Sequence, residues 1–206
     1  MTRSLEEAIR SRRSVKSFDP DHVLDDATLR RMFELVVETP SSFNLQHWRF
    51  VVVRDHARRQ ELKAASFGQR HVGEGSAVVV VCAKLAAHED AARTNAHAPP
   101  DVVKRLVPVI ERYYANDPQF RRDEAIRSAS LASMTLMLVA ESLGLATCPM
   151  IGFDPAKVSA VAGLDEGHIP VMLIVLGKMG ETDPFPTSRL PLAEVVKQET
   201  LTGPGL

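Results

Sequence analysis

Cysteine is scarce. The 206-residue chain has two thiols, Cys82 and Cys148, far apart and each inside an apolar run. Neither belongs to a Cys-x-x-Cys pair, so there is no disulfide framework or thiol zinc ribbon, and the expectation is two buried free thiols in a reducing compartment. Net charge is equally sparse: 25 Lys and Arg against 26 Asp and Glu leave −1, which gives no global field for nucleic acid or an anionic membrane. No apolar stretch approaches the roughly 20 residues of a membrane span. Met1-Thr2-Arg3 runs into an amphipathic helix with no apolar signal region, and a cytoplasmic location is expected. The chain also lacks His-Glu-x-x-His, a Walker sequence and a Gly-x-Gly-x-x-Gly turn, and its seven histidines are dispersed, which argues against a metal site. It has no internal repeat or low-complexity tract.

What is present is ordinary globular material. A hydrophobic content of 45% with 25% charged residues, over this length, fits one domain covering residues 1–206. Helical periodicity predicts helices at Leu5–Arg10, Asp26–Glu38, His56–Ala65, Pro100–Asn116, Asp123–Leu143 and Pro155–Ala162. Strand-like runs lie at Arg49–Arg54, Ala77–Ala83, Ala146–Cys148 and Pro170–Leu176. The pattern predicts an α+β domain whose apolar strands are covered on both faces. The Asp123–Leu143 helix is small or apolar almost all round, which suits either the spine of a large core or a helix shared between subunits; in a chain this small the shared position is favoured. The tail from about 195 to 206 is too short and polar to pack alone, and is expected to wrap on a partner.

Chemistry concentrates in five strings. Pro40-Ser41-Ser42-Phe43-Asn44-Leu45-Gln46-His47-Trp48 follows a helix that Pro40 stops, and places hydroxyls and an amide in a loop where a ligand can meet them. Arg12-Arg13-Ser14-Val15-Lys16-Ser17-Phe18 offers cations and a hydroxyl suited to a phosphate, with Ser14 and Lys16 on one side of an extended segment. In Gly144-Leu145-Ala146-Thr147-Cys148-Pro149-Met150-Ile151-Gly152-Phe153-Asp154-Pro155, Gly144 reads as a helix stop and Asp154-Pro155 as a helix start. Thr187-Ser188-Arg189-Leu190-Pro191 and Phe67-Gly68-Gln69-Arg70-His71-Val72 complete the set.

Taken in order, these strings resemble the signatures of the FMN-dependent nitroreductase family. The resemblance implies a central, mostly antiparallel sheet flanked by helices, in an intertwined homodimer. It also implies FMN held by Arg12, Arg13, Ser14, Lys16, Pro40, Ser41, Ser42, Asn44, Gln69, Pro149, Met150, Ile151, Gly152 and Arg189. Arg12, Arg13, Ser14 and Arg189 would take the phosphate, Lys16 would place a cation beside the flavin ring, and the Met150-Ile151-Gly152 turn would offer backbone N–H groups. The chemistry would sit on the cofactor, with NAD(P)H and then a nitroaromatic or quinone using one flavin face in turn, and no side chain acting as nucleophile or base. Phe43, His47, Tyr113, Tyr114 and Phe120 are candidates for the substrate pocket, and Trp48 is assigned to packing. A flavin store or sensor without turnover, or a relative reducing a small aldehyde or enoyl group, is the alternative. The chain departs from the best-known branch of the family at Ile151 (glutamate there), His47 (proline), Thr187 (often lysine) and Gly68 (often asparagine).

Overall fold

A computed structural model describes residues 3–181 and 187–206. Its elements, in chain order, are α1 (Leu5–Ser11), α2 (Asp26–Val36), β1 (Trp48–Val53), α3 (His56–Ala65), α4 (Arg70–Glu74), β2 (Ala77–Lys84), α5 (Ala91–Thr94), α6 (Pro100–Ala115), α7 (Pro118–Ser142), β3 (Ala146–Met150), α8 (Pro155–Ala162), β4 (His168–Gly177) and α9 (Leu192–Val195). The strands form one antiparallel sheet in the order β1-β2-β4-β3. The expected α+β class and antiparallel sheet are therefore present.

Local chemistry accounts for most boundaries. Ser4 and Glu7 form a reciprocal capping box at α1, and the side chains of Asp25, Asp55 and Asp154 accept N–H bonds at the starts of α2, α3 and α8. Gly144 follows α7 with φ +76, a left-handed conformation that glycine adopts without steric cost. Helix α7 starts at Pro118, a turn and a half before the expected Asp123, because Asp117 caps it through Phe120 N at 2.8 Å and Pro118 needs no N–H there. The small and apolar run begins only at Ala125, well past that cap. Strand β3 runs two residues beyond Cys148, since Pro149 and Met150 pair with Ile174 and Leu173 of β4.

Strand β2 is buried along almost its whole length and separates two cores. Val79, Val81, Ile174 and Leu176 pack with Met32 and Val36 of α2 and with Ala129, Leu136 and Ala140 of α7. On the opposite face Val78, Val80, Cys82, Cys148 and Val175 meet Leu62 of α3, Val158 of α8 and the N-terminal residues Val15 and Phe18. Coverage of both faces explains why the strands read as continuous apolar runs rather than alternating ones. A satellite core of Leu45, Ala87, Ala91, Ile110 and Tyr114 ties the β2–α7 connection to the segment before β1. Helix α7 is not buried all round: Leu131 and Met134 stay exposed on its outer face. Among the described residues, no helix is long and apolar enough to cross a membrane.

Candidate functional site

The sequence-derived candidates fall into two groups, one at each edge of the sheet. The first forms at the β3 edge. After α1 the chain turns extended at Arg12 (ψ 128°), and Val15 N–H donates to Thr147 O at 3.0 Å, laying residues 14–16 alongside β3. Alternation buries Val15 and leaves Ser14 and Lys16 exposed. Among the described residues, the side chains of Arg12, Ser14 and Lys16 make no hydrogen bond or ion pair, so three donors stand free in a row. Burial lowers the His71 pKa and raises that of the Cys148 thiol; in both cases Lys16 adds a secondary downward pull, which places its ammonium near α4 and β3.

Beyond β3 the chain leaves the sheet through Ile151 and Gly152, both exposed, and is re-anchored by Asp154 N–H donating to Ala65 O at 2.8 Å. Among the described residues, neither the Ile151 nor the Gly152 N–H donates to a backbone carbonyl. Gln69 Nε2 donates to Gly152 O at 2.8 Å, joining two strings that lie far apart in sequence. A Cβ at Gly152 would come within 3.1 Å of that amide nitrogen, so the side-chain-free residue keeps the contact close. Gly68, before Gln69, has φ +75, a region that asparagine also tolerates.

Arg13 does not join this row. Its guanidinium folds back onto the end of α1, donating to Arg10 O at 2.7 Å and Arg12 O at 2.9 Å. It faces a cavity of about 310 Å³ shared with Val15, Ser11 and the Arg3–Glu141 ion pair. Alternation thus separates Arg13 from Arg12, Ser14 and Lys16, and its guanidinium is directed to the helix end. Arg189 is exposed and donates to its neighbours, to Thr187 Oγ1 at 2.8 Å and Ser188 O at 3.0 Å.

The second group precedes β1. Pro40 is exposed, Ser41 and Ser42 are half-buried, and the backbone takes left-handed conformations at three non-glycine residues: Phe43 (φ 50°), Asn44 (φ 55°) and Gln46 (φ 49°). Beside the turn bonds from Asn44 N–H to Ser41 O and Leu45 N–H to Ser42 O and the Arg49 contact with Gln46 O, four side-chain bonds hold this shape. Gln46 N–H donates to Ser41 Oγ at 2.9 Å, Asn44 Nδ2 to Thr94 O at 2.9 Å, Asn95 Nδ2 to Phe43 O at 3.1 Å, and Tyr114 Oη to Ser42 Oγ at 3.0 Å. Three of them come from α5, α6 and their connection, and Thr94 and Asn95 carried no signal in the sequence.

Two expected pocket residues are instead core. His47 and Tyr114 are 1% and 0% exposed, and Tyr114 stacks on His88 with ring centroids 5.5 Å apart and planes 10° from parallel. Desolvation is the chief cause that pushes the His47 imidazole down to about 4, and among the described residues both its ring nitrogens are buried without a hydrogen-bond partner. His47 and Tyr114 therefore support the loop from beneath rather than line an open surface. Phe43 and Tyr113 are exposed, and with Phe120 they form an edge-to-face aromatic patch (Tyr113–Phe120 centroids 4.9 Å) beside the loop. Trp48 is packed in the core, 4% exposed.

Strands β1 and β3 are the outer strands of the sheet, so the Pro40–Asn44 loop and the Arg12–Lys16/Met150–Gly152 group sit at opposite edges. Three inter-strand steps separate those edges, roughly 14 Å at about 4.8 Å per step.

Known proteins match this arrangement. Residues 9–178 match the model of the Nitroreductase family. An NADH dehydrogenase of Thermus thermophilus is 37% identical over 191 residues, covering 90% of this chain and 91% of that protein. The crystal structure of the Bacillus subtilis protein ydfN superposes with TM-score 0.90 at 36% identity, covering 93% of this chain and 97% of the other. A protein of Exiguobacterium sibiricum solved in complex with FMN superposes with TM-score 0.88 at 28% identity, covering 97% of this chain and all of the other.

Proposed function

Because this chain belongs to the nitroreductase family, we propose that it is an FMN-dependent oxidoreductase. It takes electrons from NAD(P)H and passes them to an electron-poor acceptor such as a nitroaromatic or quinone, by a ping-pong mechanism in a homodimer. The observation that carries this reading is the donor set at the β3 edge. Among the described residues, Arg12, Ser14 and Lys16 are free of protein partners, and next to them lies an exposed turn whose Ile151 and Gly152 N–H groups are unspent and whose carbonyl is held by Gln69. That set fits a ligand with a phosphate at one end and a hydrogen-bonding ring edge at the other.

When bound, FMN supplies the hydride chemistry. Arg12 and Ser14 hold the phosphate by charge-assisted bonds, joined by Arg189. Lys16 keeps a positive charge at the ring edge that gains electrons, in a setting prepared before reduction. Ile151 and Gly152 offer backbone donors to the ring, and Gln69 fixes the turn. Ile151 carries no acid, so this turn brings no side-chain proton to the acceptor.

The separation of the two edges supports the dimer. One flavin ring cannot reach across the sheet of a single chain, but a two-fold partner can bring its Ser41–Asn44 loop to the β3 edge of the first. The exposed Leu131 and Met134 of α7 suit a helix covered by a second copy, as do the exposed Leu190, Leu192 and Val195 of the C-terminal segment. A wrapped tail has the same motive, although residues 197–205 also pair with each other through a Lys197–Gly205 bridge.

The test begins with an absorption spectrum of the purified protein and chromatography of the flavin released by heat. FMN is expected, and FAD as the sole flavin overturns the cofactor assignment. Parallel double-reciprocal lines with NAD(P)H and a quinone are expected, and intersecting lines overturn the single-face scheme. A yellow protein that turns over no acceptor is a flavin store.

A further inference from the structure

A concave surface beside the Ser41–Gln46 loop carries more positive charge than the fold needs. A cavity of about 530 Å³ is walled by Asn44, Gln46, Arg49, Arg93, Thr94 and His97. Behind it three cations converge on one carboxylate: Asp90 Oδ2 lies 2.5 Å from Lys84 Nζ, 3.3 Å from Arg93 Nη2 and 3.8 Å from Arg49 Nη2. The Lys84 hydrogen bond is the largest of the causes that hold the Asp90 carboxyl below its usual value. Asp90, together with Asp165, which also acts on Lys84, balances two of the three cations and leaves an excess of one before His97 is counted. Arg49 is fixed by Nη1, which donates to Gln46 O at 2.9 Å and Trp48 O at 2.7 Å. Its remaining N–H groups are thus presented from a held guanidinium. The Asn44–Thr94 bond closes the wall between the loop and α5.

We propose that this cavity is an anion subsite for the molecule that exchanges electrons with the cofactor. It takes a phosphate or carboxylate substituent on arginines, whose planar forks match both groups. The site rests on the flavin reading above, because Asn44 is at once its wall and part of the cofactor loop. Two molecules carry such a group: NADPH, through the 2′-phosphate that NADH lacks, or an acidic acceptor. Excess charge in a concavity focuses the field and raises local anion concentration.

The test replaces Arg93 and His97 together (Arg93→Gln, His97→Gln) and leaves Arg49, which braces Gln46. KM is measured for NADPH against NADH, and for 4-nitrobenzoate against 4-nitrobenzyl alcohol. A rise of about five- to twentyfold for the member of one pair that carries the extra anionic group is expected, with the member lacking that group within about twofold and kcat unchanged. The pair that responds names the source. Calorimetry of the flavin-free protein with adenosine 2′,5′-bisphosphate against AMP, and with 4-nitrobenzoate against the alcohol, should show the same discrimination and its loss in the double variant. Members with and without the extra anionic group affected equally, or neither affected in kinetics and calorimetry, overturns the subsite. A wild-type protein that binds no flavin and oxidises no NAD(P)H overturns the flavin reading instead, and the calorimetric comparison still decides the anion site.

Discussion

Tyr114→Phe tests whether the cofactor loop is held in a shape it would not keep alone. Left-handed backbone at non-glycine residues costs about 1–2 kcal/mol each, so Phe43, Asn44 and Gln46 together cost roughly 3–6 kcal/mol. Against this stand the bonds Ser41–Gln46, Asn44–Thr94, Asn95–Phe43 and Tyr114–Ser42. At about 0.5–1.5 kcal/mol apiece they return roughly 2–6 kcal/mol, so the loop is near balance and one bond matters. Phenylalanine keeps the buried ring, its stack on His88 and the satellite core, and removes only the hydroxyl donated to Ser42. Loss of about 1 kcal/mol should raise the Kd for FMN about fivefold. Fluorescence titration of the flavin-free protein measures that change, and thermal melting of the same samples should shift by only a few degrees. Gln46→Gly in the Tyr114→Phe background relieves one left-handed residue and should restore part of the affinity. A Kd within twofold of wild type, or a glycine that weakens binding further, refutes the balance of strain and clamp.

Further outcomes follow from the same geometry. Arg12→Ala should weaken FMN binding by about 1.5–3 kcal/mol, the range for a hydrogen bond to a charged group, while Arg13→Ala, which loses only helix-end contacts, should change it little; equal effects in the same titration would return Arg13 to the phosphate. Burial holds the His47 imidazole at about 4 against 6.5 in the unfolded chain. The unfolded state therefore binds the extra proton first, and stability present above about pH 6.5 is lost on acidification, by about 3 kcal/mol near pH 4. His71 and His88, whose pKa values burial also lowers, act in the same direction. Urea midpoints at neutral and acid pH should show a shallower acid limb for His47→Gln, and an unchanged limb would mean that His47 titrates normally. Finally, a chain altered at Ser41, Ser42 and Asn44 should complement one altered at Arg12 and Lys16: random reassembly gives heterodimers as half the population, each with one intact site, hence about a quarter of wild-type activity. Proven exchange without recovery would confine each site to one chain.

Much of this protein was legible before folding, because the signals are local. Caps at Asp25 and Asp154, the stop at Gly144 and the apolar strands act through neighbours a few residues away, and they place α2, α8, the end of α7 and the four strands to within a turn. The five strings likewise identified the family whose model matches residues 9–178. Alternation puts Arg12, Ser14 and Lys16 on one side only if the chain is already extended at Arg12, and that depends on where α1 ends and on pairing with β3 through Thr147. His47 and Tyr114 looked like pocket residues from position, and only the packing of α6 over the loop buried them. Strand order had the largest consequence. Local propensity makes a strand but does not choose its neighbours; long-range burial of both faces of β2 and β4 does, and so leaves β1 and β3 outermost. That choice set the two halves of the candidate site at opposite edges of one chain.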